Sequence, residues 1–317
     1  MTEQIIIDTD PGVDDAVAIW LALAAPELEV LGITTVAGNV SLSDVCRNAG
    51  SIIAKSGRQD VAIYAGSHGP LTGTQRFGKY AHIGSFASLL KDEGSVAVSA
   101  EHAVQFIVRK AQEAARQQRP ITLCALGPLT NIALALNFSP EVAKGIKRIV
   151  MMGGAFSAMG HRTPWAEFNF YADPNAAARV FRSGIPLVIM PLDMTFQALL
   201  TEAHLEVLAH DAGEPGRAIQ HLFTTFDRND PGRFLRDGGP VHDATVIAWL
   251  LEPELFQGCE VTVGIATTGE TAGYCWADFY HKLKQQANAT VMRHIDEQGF
   301  HSLLQRVLAV YGSKGEK

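Results

Sequence analysis

The chain has 317 residues, 47% of them hydrophobic and 19% charged, with 29 Gly and 14 Pro, the composition of an ordinary globular protein. Its formal net charge of −7 comes from acidic and basic residues mixed along the chain. No Lys/Arg block points to nucleic acid or an anionic membrane as partner. No stretch of 18 apolar residues occurs, and Ile5, Ile6 and Ile7 form a run far too short for a signal-peptide core. Cys46, Cys124, Cys259 and Cys275 lack a CxxC pairing and a His partner at zinc spacing, so reduced thiols in a cytoplasmic protein are expected.

In chain order, residues 5–8 read as a strand and 13–24 as a helix. Residues 30–36 are a strand, and 41–56 a helix opened by Ser41 as N-cap. A strand is expected at 61–64. Residues 101–116 form an amphipathic helix, with Val104, Ile107, Val108, Ala111 and Ala115 along one face. A strand at 121–125 and a helix at 129–136 follow, then strands at 146–151 and 187–190 with a helix at 175–182 between them. Residues 245–251 are helical. This alternation predicts an α/β fold, a mostly parallel (mixed) central sheet with helices on both faces, Rossmann-like in style. Nothing resembles a linker or a repeat, so one domain over 1–317 is expected. Residues 66–94 and 212–240 break the rhythm and read as irregular active-site loops.

Ligands of open α/β sheets bind at the carboxyl ends of the strands. There this chain places Asp8-Thr9-Asp10-Pro11-Gly12-Val13-Asp14-Asp15, then Gly38-Asn39, Leu126-Gly127-Pro128-Leu129-Thr130-Asn131, Met152-Gly153-Gly154 and Leu192-Asp193-Met194-Thr195. Four carboxylates in eight residues repel one another unless a proton or a cation offsets them. Oxygen donors without a Cys/His cluster suit a hard divalent cation. An EF-hand is excluded because position twelve from Asp8 is Ile19, and no P-loop sequence occurs. Glu167 and Asn169, two apart, would point the same way in an extended segment and suit a polyol such as a sugar. Asp173 reads as a helix cap. His242 beside Asp243, after a Gly-Gly-Pro turn, is a candidate functional histidine.

These blocks resemble the nucleoside hydrolase family, the inosine–uridine-preferring N-ribohydrolases. The resemblance rests on Asp8 through Ala16, Gly127-Pro128-Leu129-Thr130-Asn131, Met151-Met152-Gly153-Gly154, Ala166-Glu167-Phe168-Asn169 with Ala172-Asp173-Pro174, and His242-Asp243-Ala244, in the family's order and spacing. It implies hydrolysis of the N-glycosidic bond of ribonucleosides to ribose and free base. By similarity, Ca²⁺ is held by Asp10, Asp15, Asp243 and the Leu126 carbonyl, and acidifies a water whose proton Asp10 takes as general base. Asp14, Asn39 and Asn169 hold the ribose, Met152 packs beneath it, Glu167 reaches the 5′-hydroxyl, His242 serves the leaving base and His82 lies beside it. Homodimers or homotetramers are implied.

Two departures stand out. His161, with Arg162 next to it, replaces a family Asn near the 5′-hydroxyl, which implies a changed 5′ environment, open to a modified or anionic 5′ group. Ile83-Gly84-Ser85-Phe86 replaces an acidic, Gly-rich stretch, so base preference does not carry over. The competing readings are a non-catalytic nucleoside- or ribose-binding protein on the same scaffold, and a Mg²⁺-dependent phosphatase using Asp8-Thr9-Asp10.

Overall fold

The computed structural model describes residues 2–90, 96–229 and 236–313. The first half alternates as expected: β1 (Glu3–Thr9), α1 (Val13–Ala24), β2 (Leu28–Thr35), α2 (Leu42–Ser56), β3 (Ile63–Ala65), β4 (Val98–Ser99), α3 (Ala103–Arg116), β5 (Ile121–Ala125) and α4 (Thr130–Phe138). Then come β6 (Ile146–Met152), α5 (Phe168–Ala172), α6 (Pro174–Phe181), β7 (Leu187–Met190), α7 (Leu192–Thr195), β8 (Leu199–Leu200), α8 (Glu202–Asp211), α9 (Gly213–Thr225) and β9 (Gly239–Pro240). A helix at Ala244–Leu251 leads to β10 (Phe256–Val261), β11 (Val263–Ile265), β12 (Cys275–Ala277), β13 (Ala289–Ile295) and a last long helix at Glu297–Leu308.

Nine strands form one sheet in the order β10-β13-β7-β6-β5-β1-β2-β3-β4. Every pairing in it is parallel except β10 with β13. β1 is central and buried on both faces, which explains its unbroken apolar run. Ile5 and Ile7 join the core under α1, while Ile6 joins the core under α3 and α4. Alternate side chains of one strand thus feed two separate cores.

The chain runs outward from β1 through β2, β3 and β4, then returns to place β5 on the other side of β1. That reversal makes the carboxyl ends of β1 and β5 the switch point, where such sheets leave a crevice. The acidic loop after β1 and the Leu126-Gly127 turn after β5 both open there. Helix α2 shows why the local sequence folds as it does: Ser41 caps it by accepting from the Asp44 N–H, and Gly57 ends it in the left-handed region at φ 70°.

Two expectations change. The segment 212–240 is not irregular throughout, because residues 213–225 form α9. Ala218, Ile219, Leu222 and Phe223 lie along its buried face, and Pro215 sits in the first turn, where its missing N–H costs nothing. Residues 230–235 of that loop, and 91–94 of the other, lie outside the described residues. The strand expected at 61–64 runs instead over Ile63–Ala65. Among the described residues no helix is long and apolar enough to cross a membrane, and all four cysteines are free.

Candidate active site

The floor is built from the turn between β1 and α1. Asp8, fully buried, is a strand-end acceptor: its Oδ1 accepts from Thr34 Oγ1 at 2.5 Å and from Asn131 Nδ2 at 2.8 Å. Burial pushes its carboxyl up to about 6. Asp10 points into a slot shaped by two glycines. A Cβ on Gly127 would stand 2.6 Å from Asp10 Oδ1, and one on Gly38 would collide with Oδ2. The Asn39 N–H donates to Asp10 Oδ2 at 2.6 Å, and Asn39 Nδ2 donates to the Asp10 carbonyl at 3.0 Å. Asn39 therefore clamps the acidic turn as well as lining the cavity. Asp14 and Asp15 occupy the first turn of α1, where the helix dipole favours negative charge. Asp15 accepts from Thr9 Oγ1 at 2.5 Å and from the Gly12 N–H at 2.8 Å.

Asp243, just before the helix at Ala244–Leu251, closes the group from the far side. One carboxylate oxygen each from Asp14, Asp15 and Asp243 lies within 4.8 Å of the others, and all three residues are buried. Burial first, and neighbouring charge second, hold Asp10 and Asp243 well above the usual carboxylate range and Asp15 at about 6. Arg228 is a cation beside them, 3.5 Å from Asp14. Mutually repelling, dehydrated oxygens with no nitrogen or sulfur donor among them are the donor set of a hard divalent cation, so the residues fit one.

The assembled set differs from the expected one. Asp14, not Asp10, completes the tight triple, while Asp10 lies near enough for its charge to act on Asp243. The Leu126 carbonyl borders the cavity but accepts from Asn169 Nδ2 at 2.7 Å.

Above the floor opens a cavity of about 230 Å³, the scale of one small molecule rather than a polymer groove. Met152, Glu167, Asn169, His161 and His242 all line it. Glu167 and Asn169 do not share an extended face. Glu167 caps the short helix α5, accepting from the N–H groups of Asn169 and Phe170 and also from that of Gly154. Its carboxyl, 1% exposed, is pushed up to about 7 by burial. Asn169 Nδ2 also reaches the Met152 carbonyl at 3.1 Å, which ties β5, β6 and α5 together beneath the cavity. His161 Nε2 accepts from the Phe168 N–H at 3.2 Å and lies 3.7 Å from Glu167 Oε1. The histidine in the place of a family Asn is therefore part of the Glu167 wall. Arg162 is exposed at the mouth, donating to the Phe77 carbonyl at 2.6 Å. Asp173 caps α6 as expected.

His82 is not brought to the cavity. It is exposed on a single 3-10 turn, Ala81–Ile83, and that turn leaves Lys79 and Tyr80 against the cavity instead. The sequence did not single out Phe196 or Arg228, and it placed Thr195 only within a strand-end block, without a role of its own. Arg228 follows α9, donates to the Pro240 carbonyl at 2.9 Å and reaches Asp14. Its signal was an arginine just beyond a helical repeat that Gly213, Pro215 and Gly216 obscured. The pairing of Thr195 with His242 had no signal, since the two meet only through the fold.

An acid-floored, polar-walled pocket at the switch point of a parallel sheet defines an α/β enzyme that acts on a small polyhydroxylated substrate. Residues 5–302 match the sequence model of the inosine-uridine preferring nucleoside hydrolases, and the chain belongs to that family. It is a hydrolase of N-glycosyl compounds that acts on ribonucleosides. It is 40% identical over 317 residues to the pyrimidine-specific ribonucleoside hydrolase RihA of Salmonella paratyphi B, covering 98% of this chain and 100% of that one. It is 43% identical over 308 residues to an uncharacterized protein of Schizosaccharomyces pombe, covering 95% and 97%. A plant nucleoside hydrolase superposes with a TM-score of 0.86 at 28% identity, covering 98% of this chain and 99% of that one. A purine-preferring ribonucleoside hydrolase from Gardnerella vaginalis gives 0.84 at 28%, with the same coverage.

Proposed function

We propose that the chain cleaves ribonucleosides to ribose and free base with a Ca²⁺ ion on its acidic floor, Asp10 as general base, and pyrimidine ribonucleosides as preferred substrates. The gathering of Asp14, Asp15 and Asp243 into one buried group, with Asp10 beside it, carries this reading. Asp10, Asp15 and Asp243 would hold the cation, with the Leu126 carbonyl and Asp14 at its edge. When bound, it supplies positive charge that eases deprotonation of a nearby water and offsets the carboxylates.

The chain's own residues do the rest. Asp10, locked by Gly38, Gly127 and the Asn39 N–H, takes the proton of the attacking water. Asp14, Asn39 and Asn169 orient the ribose hydroxyls, and Met152 packs beneath the ring. Glu167 and His161 face the 5′-carbon end. As the glycosidic bond stretches, positive charge builds on the ribose and is stabilised by the acidic floor. Negative charge builds on the departing base, towards His242. Pyrimidine preference rests on the whole-length likeness to a pyrimidine-specific relative.

The test is base release from a panel of uridine, cytidine, inosine and adenosine, each with and without a 5′ substituent, before and after chelation. Chelator-sensitive release with uridine or cytidine leading is expected. Tight nucleoside binding by calorimetry with no release over hours would establish the binding-protein alternative.

A further inference from the structure

Thr195 ends the short helix α7 and is fully buried. Its hydroxyl lies 2.7 Å from His242 Nδ1. Among the described residues that ring nitrogen is the partner its Oγ1 has. The direction of this hydrogen bond follows from what each choice strands. If Nδ1–H donated to Oγ1, the hydroxyl proton would be left in the interior without an acceptor. If the hydroxyl donates, both the hydroxyl proton and Nδ1 are satisfied, and Nδ1 is the bare nitrogen. The ring then carries its proton on Nε2, on the edge opposite Thr195. His242 lines the cavity, and Phe196 and His161 stand edge-on to it at 5.8 and 6.0 Å between ring centres. The protonated edge is thereby aimed into the space where the leaving base develops negative charge.

We propose that Thr195 is a positioning residue: its hydroxyl fixes His242 as the Nε2–H tautomer, so that the imidazole meets the departing base as a hydrogen-bond donor. The group on Nδ1 is the Thr195 hydroxyl, so a neutral donor fixes the histidine, which stabilises charge on the base through an N–H already in place. The inference rests on the reading of this cavity as a nucleoside site.

The experiment compares wild type, T195V, T195A and T195S on uridine and on p-nitrophenyl riboside, whose phenolate departs without help. For uridine, T195V and T195A are expected to lower kcat about 10- to 100-fold with KM changed less than about threefold, and T195S to restore most of the rate. Cleavage of p-nitrophenyl riboside should stay within about twofold in all variants, which also shows that the floor is intact. Long-range ¹⁵N–¹H spectra of the imidazoles should show one His242 resonance pair of the Nε2–H type, lost in T195V. Equal slowing of both substrates, no slowing of uridine, or an Nδ1–H pattern in the wild type would each overturn the proposal. A wild type that cleaves neither substrate would instead count against the nucleoside reading itself.

Discussion

Asp10, buried beside Asp14 and Asp15 in the acidic floor, and Tyr80, which lines the cavity, are placed by different means. Asp10 is held by backbone: the Asn39 N–H, the Gly38 turn after β2 and the Gly127 turn after β5. Its position is therefore tied to the register of three neighbouring central strands. Tyr80 comes from the long connection between β3 and β4 and rests edge-on against Phe226 at 5.3 Å. Arg162 at the same mouth is anchored to the Phe77 carbonyl, again loop upon loop. The floor cannot move without the sheet, whereas the rim can be rebuilt without disturbing it. Relatives of this fold include proteins described as pyrimidine-specific and as purine-preferring.

The largest expected effect tests the floor. Asp10→Ala should lower kcat on ribonucleosides by about 10³-fold or more while leaving the melting temperature within a few degrees or higher, because a repelling carboxylate has gone. Steady-state kinetics and thermal melting together check it; retained turnover would remove Asp10 from the reaction. Chelation follows. Exhaustive EGTA treatment should reduce turnover to background, and Ca²⁺ should restore it and raise the melting temperature through binding to the native state alone.

Gly127→Ala probes the geometry rather than the chemistry. The added methyl would stand 2.6 Å from Asp10 Oδ1 and 3.0 Å from the Asp10 N, so the carboxylate must shift. A loss of about 10- to 100-fold in kcat is expected with cation affinity reduced, measured by kinetics and by calorimetric Ca²⁺ titration.

Glu167 sharpens the comparison through pH. Burial raises its folded-state value to about 7, above that of an unfolded Glu. The folded state thus holds the proton more tightly than the unfolded chain. Stability from this group is full below about pH 4 and is lost as pH rises through about 7, by roughly 2–3 kcal/mol at most. Urea unfolding at pH 5 and pH 8 should show the wild type weaker at pH 8, and Glu167→Gln should flatten that difference. An unchanged slope in the variant would assign the pH dependence to the floor carboxylates.

The contrast between floor and rim also governs what the sequence disclosed. Asp8 through Asp15 is one turn read by one strand and one helix, so its density of charge is visible locally. The parallel sheet was legible because β1, β5 and β6 are apolar runs separated by helical periods. His242 was visible as a histidine beside an aspartate, but Thr195, 47 residues earlier, becomes its partner only when β8 and β9 pair. Arg228 was hidden because α9 begins with Gly and Pro. The strands and helix beyond residue 251 were not assigned.

His82 gives the smallest expected effect and the sharpest test of how rim residues are recognised. The family resemblance put it beside the base, yet a single 3-10 turn carries its side chain to the surface and leaves Lys79 and Tyr80 at the cavity. One residue of rotation in so tight a turn shifts a side chain by about a third of a revolution. His82→Ala should change kcat and KM for uridine by less than about twofold, whereas Tyr80→Ala should raise KM by about 5- to 20-fold through lost ring contact. Parallel kinetics on the two variants decide it. Equal loss in both would mean that the turn closes over substrate with His82 inward, and the rim would then be defined by the bound state rather than by the packing of Tyr80 on Phe226.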